Sequence, residues 1–277
     1  MNKIIAKKYL SDNLVKFEIK VSTAIREIKP GQYVIFRIEE NGPGVPLTVS
    51  KVNTEKESIT VFVPITDIDT RQLADINAES NLFRIDGPFG VPLKTENFGT
   101  VLCMGRGSGI VPLLPVLTSL RASGNRIVTV LSAQSKEGIV LENEIGAASD
   151  ELLILTEDGS WGEKGSICHV LRKILTDSKI MQVFAFGSAK MIKESYSLTR
   201  KYNIPMQAVL YLGKVDECGL NSIFRVNICR DGKSVCVDGV NLNAYYNDIE
   251  EMVRRFESKA GEENHCVEVL HEANISV

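Results

Sequence analysis

A run of glycines interrupted by arginine and serine is the segment of this chain best suited to chemistry. Gly105-Arg106-Gly107-Ser108-Gly109 stands between an apolar segment, residues 101–104, and a helix-like segment, residues 109–120. A glycine-rich turn lets the backbone approach a pyrophosphate, and the following helix supplies free N–H groups and the positive end of its dipole. The Gly-x-Gly-x-Gly spacing departs from Gly-x-Gly-x-x-Gly. Because tight turns also use glycine for steric reasons alone, the motif is weak by itself.

Two later loops have similar composition. Thr156-Glu157-Asp158-Gly159-Ser160-Trp161-Gly162 follows an apolar segment, and Gly187-Ser188 follows another and precedes a helix-like stretch. In an open parallel sheet, ligands bind at the carboxyl ends of the strands. We therefore expect Gly105, Asp158, Gly159 and Gly187 to line one crevice. The alternative for Asp158-Gly159 is a simple turn.

Hydrolytic chemistry finds no support in the sequence. The three histidines, His169, His265 and His271, are scattered. No Ser–His–Asp arrangement is apparent in the order of residues, and no His-Glu-x-x-His pair occurs.

The elements that must position these loops are those of an ordinary globular protein. The chain has 277 residues, enough for about two domains, and 44% hydrophobic residues, enough for a sizeable core. A net charge of -3 without a long basic run argues against nucleic acid and anionic membranes as partners. No apolar run approaches the roughly 20 residues of a membrane span, and no signal peptide is evident. We therefore expect a cytoplasmic protein with reduced cysteines.

The hydrophobic pattern changes twice along the chain. Residues 1–97 form short alternating segments separated by Gly/Pro turns, which predicts an antiparallel β-barrel. Residues 98–212 alternate apolar strands with helices, with a fifth candidate strand at 208–210, which predicts an α/β domain with a parallel sheet. Residues 213–277 predict a small hairpin module, a charged helix at 247–259 and a polar tail.

An ordered set of motifs resembles a known family. The motifs are residues 101–115, Lys29-Pro30-Gly31-Gln32-Tyr33, Val45-Pro46-Leu47-Thr48-Val49, Gly87-Pro88-Phe89-Gly90, and Asp158-Gly159-Ser160-Trp161-Gly162 with Gly187. Together they resemble the small FAD- and NAD-binding subunit of NADH-dependent ferredoxin–NADP oxidoreductase (the sulfide dehydrogenase-like group). They are similar also to the electron-transfer subunit of dihydroorotate dehydrogenase, both within the ferredoxin reductase superfamily. The resemblance covers residues 1 to about 256.

The resemblance implies FAD on the barrel, NAD(P)H on the α/β domain, and a larger flavin or iron–sulfur oxidoreductase subunit as partner. Hydride would pass from nicotinamide to flavin, and electrons would pass on singly. The implied cofactor-binding residues are Pro46, Leu47, Thr48, Val49, Thr70, Arg71, Gly87, Gly90, Gly105, Gly107, Ser108, Gly109, Asp158, Gly159 and Gly187.

One departure from the family concerns the flavin diphosphate. Family members usually have an arginine two residues before Pro46, where this chain has Gly44. Thr70 and Arg71 could replace it, because an arginine matches a phosphate bidentately. The alternative for Arg71 is a solvated helix residue.

After the second strand, residues 132–136 show neither an acidic residue for a ribose 2′-hydroxyl nor an arginine for a 2′-phosphate, so NADH and NADPH both stay open.

A second departure concerns the [2Fe-2S] cluster that the resemblance implies. Four ligands are needed, and only Cys236, before Asp-Gly, matches the final one. Cys218 and Cys229 are the other candidate metal ligands, yet two of the four aligned positions lack a ligand. Residues 225–229 and 233–236 alternate like a hairpin, which favours buried free thiols over a cluster.

The sequence thus predicts an FAD-dependent NAD(P)H oxidoreductase that serves as an electron-transfer subunit. The alternative is a degenerate structural or regulatory subunit of the same complex, favoured by Gly44 and the missing cluster ligands. A flavoprotein reductase with a diffusible acceptor is the third hypothesis. The substrate, the electron acceptor and the oligomeric state are not legible in the sequence.

Overall fold

Two seven-stranded sheets make up most of the protein. The computed structural model describes residues 2–40, 42, 44–66, 68–90, 92–210, 225–230, 233–238 and 241–243. Strands of the first sheet all lie before residue 90, and those of the second begin at Thr100.

The first sheet is antiparallel and forms a nearly closed barrel. Its strands are β1 (Asn2–Ser11), β2 (Leu14–Lys20), β3 (Tyr33–Arg37), β4 (Gly44–Asn53), β5 (Ser58–Pro64), β6 (Asn81–Leu82) and β7 (Arg84–Phe89), with short helices α1 (Thr23–Arg26) and α2 (Ile68–Asp75) between them. The strand order is β6-β1-β2-β5-β4-β3-β7. Phe83 alone separates β6 from β7, so the two ends of the sheet meet. This nearly closed barrel confirms the predicted antiparallel fold.

Alternation of side chains explains why these segments form a barrel. In β2, Phe17 and Ile19 are buried, whereas Lys16 and Lys20 are exposed. Phe17 pairs with Val61 of β5, so the apolar residues of neighbouring strands meet inside. The barrel interior is filled in this way by one apolar cluster.

The second sheet is mainly parallel. Its strands are β8 (Thr100–Arg106), β9 (Arg126–Ala133), β10 (Glu151–Thr156), β11 (Glu163–Lys164), β12 (Gln182–Gly187) and β13 (Met206–Leu210). The hairpin strands β14 (Arg225–Arg230) and β15 (Lys233–Asp238) follow, and β16 (Asn241–Asn243) returns antiparallel to β13. The order is β11-β10-β9-β8-β12-β13-β16. The chain first builds outward from β8 through β9, then returns to β12 on its other side, which creates a switch point.

Helices cover both faces of this sheet. They are α3 (Ile110–Ala122), α4 (Glu142–Ala148), α5 (Ile167–Asp177) and α6 (Ala189–Lys201). The apolar cluster on one face includes residues of α3 and α4, and that on the other includes residues of α5 and α6. Leu102 and Cys103, adjacent on β8, are both fully buried, as expected for a strand covered on both faces.

The barrel and the parallel sheet share an apolar core. Leu14 and Phe62 of the barrel, together with Leu93 of the linker, belong to the same buried cluster as α3. The Gln207 side chain accepts from the Lys94 N–H (3.0 Å) and donates to the Lys94 carbonyl (3.2 Å). Packing and hydrogen bonds therefore fix how the two sheets face each other.

The predicted elements compare well with those observed. The helix expected at 109–120 is α3, the candidate fifth strand is confirmed as β13, and the hairpin is confirmed as β14–β15. The expected helix at 247–259 lies outside the described residues. The predicted domain boundary at residue 97 falls between β7 and β8. The division of the chain into domains at residues 97 and 212 stays a prediction. Within the described part of the chain, no helix has the length and apolar character to span a membrane.

Candidate functional site

Four strand ends meet at one edge of the parallel sheet. The register pairs Arg106 of β8 with Ser132 of β9, Ala133 of β9 with Thr156 of β10, and Phe186 of β12 with Gly105. The glycine-rich loop, the Asp158 loop and Gly187 therefore lie along this carboxyl edge, as the sequence predicts.

Gly109 brings the glycine-rich loop against the end of β12. A Cβ atom at this position would meet the Phe186 carbonyl oxygen at 2.4 Å and the Gly187 nitrogen at 3.0 Å. Gly105 is less tight, because its Cβ would lie 3.1 Å from the Leu113 Cδ2 atom and 3.2 Å from the Ile110 Cα atom. At position 109 only glycine permits the backbone contact that closes the switch point between β8 and β12.

Gly107 faces open space. Its φ of +55° favours glycine, and no atom would lie within 4 Å of a Cβ there. Ser108 is half-buried beside it, and α3 begins at Ile110 without a side-chain cap on its first N–H groups. This loop thus combines an open backbone surface with a helix dipole, as an anionic ligand requires.

The Asp158 loop is a tight turn with an ionised carboxylate. The Asp158 carboxylate accepts from the Ser160 N–H (2.8 Å) and hydroxyl (2.6 Å), and these hydrogen bonds lower the pKa of Asp158. Gly159 has a φ of +79°. The turn alternative from the sequence is therefore present locally, and the turn holds the carboxylate at the strand end.

An aromatic and basic pair lies next to this turn. The Lys136 ammonium lies 4.6 Å from the centre of the Trp161 ring, and the Lys136 N–H donates to the Ser160 hydroxyl oxygen (2.8 Å). The indole N–H of Trp161 donates to Glu142 (3.0 Å). These contacts join the ends of β9 and β10 into one surface.

The sequence prediction missed an acidic residue on this surface. Glu137 lies in a short 3₁₀ helix, Lys136–Gly138, just after β9, and the Ser135 hydroxyl donates to its carboxylate (2.5 Å). That hydrogen bond lowers the pKa of Glu137. The prediction stopped at residue 136, one position short. An ion pair between Arg106 and Glu157 (2.5 Å) spans the same edge.

The barrel presents an outer face made by β7, β3 and β4. Its middle row aligns Asp86, Ile35 and Pro46, and an adjacent row aligns Tyr33 with Thr48. Because side chains alternate, Pro46 and Thr48 face outward, whereas Leu47 and Val49 are buried in the barrel core. Of the four residues predicted beside the flavin, two therefore offer side chains to this face and two offer backbone only.

The predicted Gly-Pro-x-Gly loop borders this face. Gly87 and Gly90 have φ values of +137° and +84°. The Gln32 side chain donates to the Gly90 carbonyl (3.0 Å), and the ring centres of Tyr33 and Phe89 lie 5.8 Å apart. Both glycines therefore lie beside the row that contains Thr48.

The two residues of α2 predicted to contact the flavin phosphates differ in their exposure. Thr70 is buried, and its hydroxyl oxygen accepts from the Thr66 N–H (3.0 Å), whereas Arg71 is exposed. The sequence prediction overlooked Arg37, whose guanidinium carbon lies 3.6 Å from where a Cβ of Gly44 would be.

The candidate metal ligands are only partly visible. Cys218 lies outside the described residues, and only the backbone of Cys229 and Cys236 is described, on β14 and β15. The cluster prediction and its alternative therefore both stay predictions. Among residues whose side chains are described, no group of three His, Cys, Asp or Glu is placed to hold a metal. Cys103 and Cys168 are free thiols, and burial raises the pKa of Cys168 to about 12.

Comparison with solved structures places the fold. The chain matches a structure of the NADH-dependent reduced ferredoxin–NADP oxidoreductase over 96% of its length and 98% of that chain, with a TM-score of 0.76 and 27% identity. It also matches a ferredoxin NADP⁺ reductase from Neisseria gonorrhoeae, solved with bound FAD and NADP, over 75% of this chain and 97% of that one, with a TM-score of 0.58 and 16% identity.

Comparison with known sequences gives relatives that match over most of both chains. The chain is 31% identical over 255 residues to a dihydroorotate dehydrogenase B (NAD⁺) electron transfer subunit homolog of Thermotoga maritima, covering 92% of this chain and 90% of the relative. It is 27% identical over 244 residues to the dihydroorotate dehydrogenase B (NAD⁺) electron transfer subunit of Bacillus velezensis, covering 83% and 91%. No family model matches the chain.

The barrel, the parallel sheet and their loops define a ferredoxin reductase-like oxidoreductase. Within that class, the chain belongs to the family of dihydroorotate dehydrogenase B electron-transfer subunits, as the sequence motifs predicted.

Proposed function

We propose that this subunit carries electrons from NADH, through FAD held on the outer face of β4, to a larger oxidoreductase subunit. One observation carries the proposal. Helix α3 begins at the glycine-rich loop and packs along β4, so the predicted nucleotide loop and the predicted flavin strand are held on one helix. A bound flavin would accept a hydride from nicotinamide and release electrons singly.

The residues of the outer face suit a flavin nucleotide. Pro46 and Thr48 would contact the ring system, and the Gly87 and Gly90 loop would border it. Asp86 gives further support, because its buried Oδ2 atom has no hydrogen-bond partner and only a long ion-pair contact, with the Arg37 Nε atom at 4.0 Å. A sugar or ribityl hydroxyl would supply the missing donor.

The carboxyl edge of the parallel sheet suits a dinucleotide. Gly105, Gly107, Ser108, Gly109 and Gly187 would surround its diphosphate, because they combine close backbone packing with an open, positive helix end. In this arrangement the chain itself orients the nucleotide, and no side-chain acid or base is needed.

The charges at the far end of that edge favour NADH over NADPH. Glu137 and Asp158 both have lowered pKa values through serine hydrogen bonds and are therefore ionised at neutral pH. A 2′-phosphate would meet two carboxylates, whereas a ribose hydroxyl could donate to one. Of the nearby cations, Lys136 is engaged with Trp161 and Arg106 with Glu157, while the stem of Lys164 lies beside Gly159. The names of the relatives in Thermotoga and Bacillus specify NAD⁺.

A partner is proposed from those same names, which call the relatives electron transfer subunits of a dihydroorotate dehydrogenase. We place the complex in the cytoplasm, as the sequence predicts. Whether a [2Fe-2S] cluster relays the electrons depends on Cys218, Cys229 and Cys236.

The decisive experiment is anaerobic stopped-flow mixing of the FAD-loaded protein with NADH or NADPH. We expect rapid bleaching of flavin absorbance with NADH and much slower bleaching with NADPH. A protein that binds FAD but is reduced by neither nucleotide, or one that cannot be loaded with FAD, would support the degenerate structural subunit instead. Iron and sulfide analysis of the same sample tests the cluster separately.

A further inference from the structure

A guanidinium occupies the space beside Gly44. Arg37 of β3 pairs directly with Gly44 of β4 in the antiparallel register, on the outer face that contains Pro46. The Arg37 Nη2 atom and its guanidinium carbon each lie 3.6 Å from the position that a Cβ of Gly44 would take. A Cβ at position 44 would clash with the Ile35 Cγ2 atom at 2.7 Å, whereas 3.6 Å is an ordinary van der Waals distance, so the Arg37 guanidinium lies beside Gly44 without requiring glycine there.

Arg37 is held in place by two groups. Its Nη1 atom donates to the Gly42 carbonyl (2.8 Å), and its Nε atom lies 4.0 Å from Asp86 Oδ2. The side chain is only 15% exposed. Within the described part of the chain, no acceptor is recorded for Nη2. The guanidinium is therefore oriented, with one terminal nitrogen available for a ligand.

Arg37 shares its ion-pair partner with a second arginine, and the carboxylates of the adjoining loop, Glu39 and Glu40, are exposed to solvent. Asp86 forms ion pairs with both Arg37 and Arg84, so two guanidinium groups share one carboxylate. Arg84 is 62% exposed and well solvated, whereas Arg37 is not. A partly desolvated cation of this kind favours an anionic ligand.

We propose that Arg37 binds the phosphate groups of the flavin nucleotide. The inference rests on the proposed function, since it assumes that Pro46 and Thr48 contact the flavin. Gly44 lies on the same face, about 7 Å beyond Pro46 along β4. The ribityl chain leads from the ring to the phosphates, so a flavin whose ring lies over Pro46 and Thr48 and whose ribityl chain runs toward Gly44 would bring its phosphates to Arg37.

Arg37 is better placed for this role than Arg71, the residue suggested by the sequence. Arg71 is exposed on α2, and Asp69 adds a negative charge to the first turn of the same helix. Arg37, by contrast, is oriented before any ligand binds, so less conformational entropy is lost on binding.

The test compares FAD with riboflavin, which has no phosphate. Dissociation constants are measured by flavin fluorescence for the full chain and for Arg37→Gln, with Arg84→Gln as the matched control. For Arg37→Gln we expect FAD affinity to fall about 10- to 100-fold and riboflavin affinity to stay unchanged. For Arg84→Gln we expect FAD affinity to change by less than about threefold, because the lost charge is exposed.

Other outcomes separate this inference from the proposed function. If the unmodified chain binds FAD and Arg37→Gln binds it equally well, the inference fails and the proposed function survives. Equal loss of FAD and riboflavin would reduce Arg37 to a structural residue and overturn the inference. A chain that binds neither flavin overturns both.

A second variant covers the case in which Arg37→Gln does not fold. Arg37→Lys keeps the charge and the aliphatic stem but loses the planar fork. We expect a partial loss of FAD affinity, again without an effect on riboflavin. Circular dichroism of each variant verifies the fold, and a folded Arg37→Lys that loses as much riboflavin affinity as FAD affinity would overturn the inference.

Discussion

Alanine at position 109 is expected to separate two loops that meet at the carboxyl edge of the parallel sheet. The new Cβ atom would lie 2.4 Å from the Phe186 carbonyl oxygen, and real Cβ contacts are essentially never shorter than 3.0 Å. The glycine-rich loop and the end of β12 would therefore have to separate by about 0.6 Å. Because both contacting groups are backbone, no side chain can rotate to relieve the clash.

Two consequences follow from that displacement. Overpacking of this kind costs typically 1–3 kcal/mol, and we expect Gly109→Ala to lower the free energy of unfolding by about 2–3 kcal/mol. Hydrogen bonds from the loop to a dinucleotide diphosphate would lengthen by a similar distance, which weakens one or two of them and lowers NADH affinity about 10- to 100-fold. FAD affinity should be unchanged, since the outer face of the barrel lies elsewhere.

Gly165→Ala is the matched control. No atom would lie within 4 Å of a Cβ at Gly165, so the same substitution meets no obstacle there. Urea unfolding gives the stability of both variants, and NADH titration of the FAD-loaded proteins gives their affinities. If Gly109→Ala matches Gly165→Ala in both measurements, the Phe186 carbonyl does not obstruct a Cβ atom at position 109.

Three further predictions test other parts of the structure. Glu137→Gln should narrow the preference for NADH over NADPH several-fold in stopped-flow reduction, and an unchanged ratio would remove Glu137 from nucleotide selection. Gln207→Leu should lower the free energy of unfolding by about 1–3 kcal/mol in urea, because the Lys94 N–H and carbonyl lose their partners; a neutral effect would mean that this tie is dispensable. Burial raises the pKa of the Cys103 thiol in the folded protein. The contribution of this thiol to stability is therefore complete below the unfolded pKa of roughly 8.5 and is lost as pH rises above that value, because the thiol of the unfolded chain ionises first. Unfolding measured between pH 8 and pH 10 should therefore show a fall in stability that Cys103→Ala reduces, and an identical fall in the variant would contradict the assignment.

The fold was largely predictable because its signals are local. Alternating residues such as Phe17 and Ile19 mark barrel strands, and fully apolar runs such as Leu102-Cys103 mark strands buried on both faces. The glycine-rich loop was predictable as well, since it follows such a run directly. The same alternation in β4 turns the side chains of Leu47 and Val49 inward, so the flavin contacts predicted for these two residues would come from their backbone.

The features that escaped prediction depend on contacts between distant segments. The role proposed for Arg37 depends on the register of β3 and β4, which pairs Arg37 with Gly44. No residue near Arg37 in sequence indicates that neighbour. Phe62 and Leu14 join the core of α3 rather than that of the barrel, which their strand pattern does not distinguish. Glu137 does not depend on such a distant contact, because it lies one residue beyond the 132–136 segment that follows the second strand.

Helix α3 gives a physical reason to expect a fixed geometry between the two proposed cofactor sites. Its first turn follows Gly109, whose backbone touches the end of β12, and its body packs along β4 and against Phe62. A buried apolar interface of this kind resists hinge motion, because opening it would expose the shared core to water. We therefore expect the packing of α3, rather than closure of one sheet on the other, to set the separation of nicotinamide and flavin. The choice between NADH and NADPH would be made elsewhere, by the charges of Glu137 and Asp158 at the open edge of the parallel sheet.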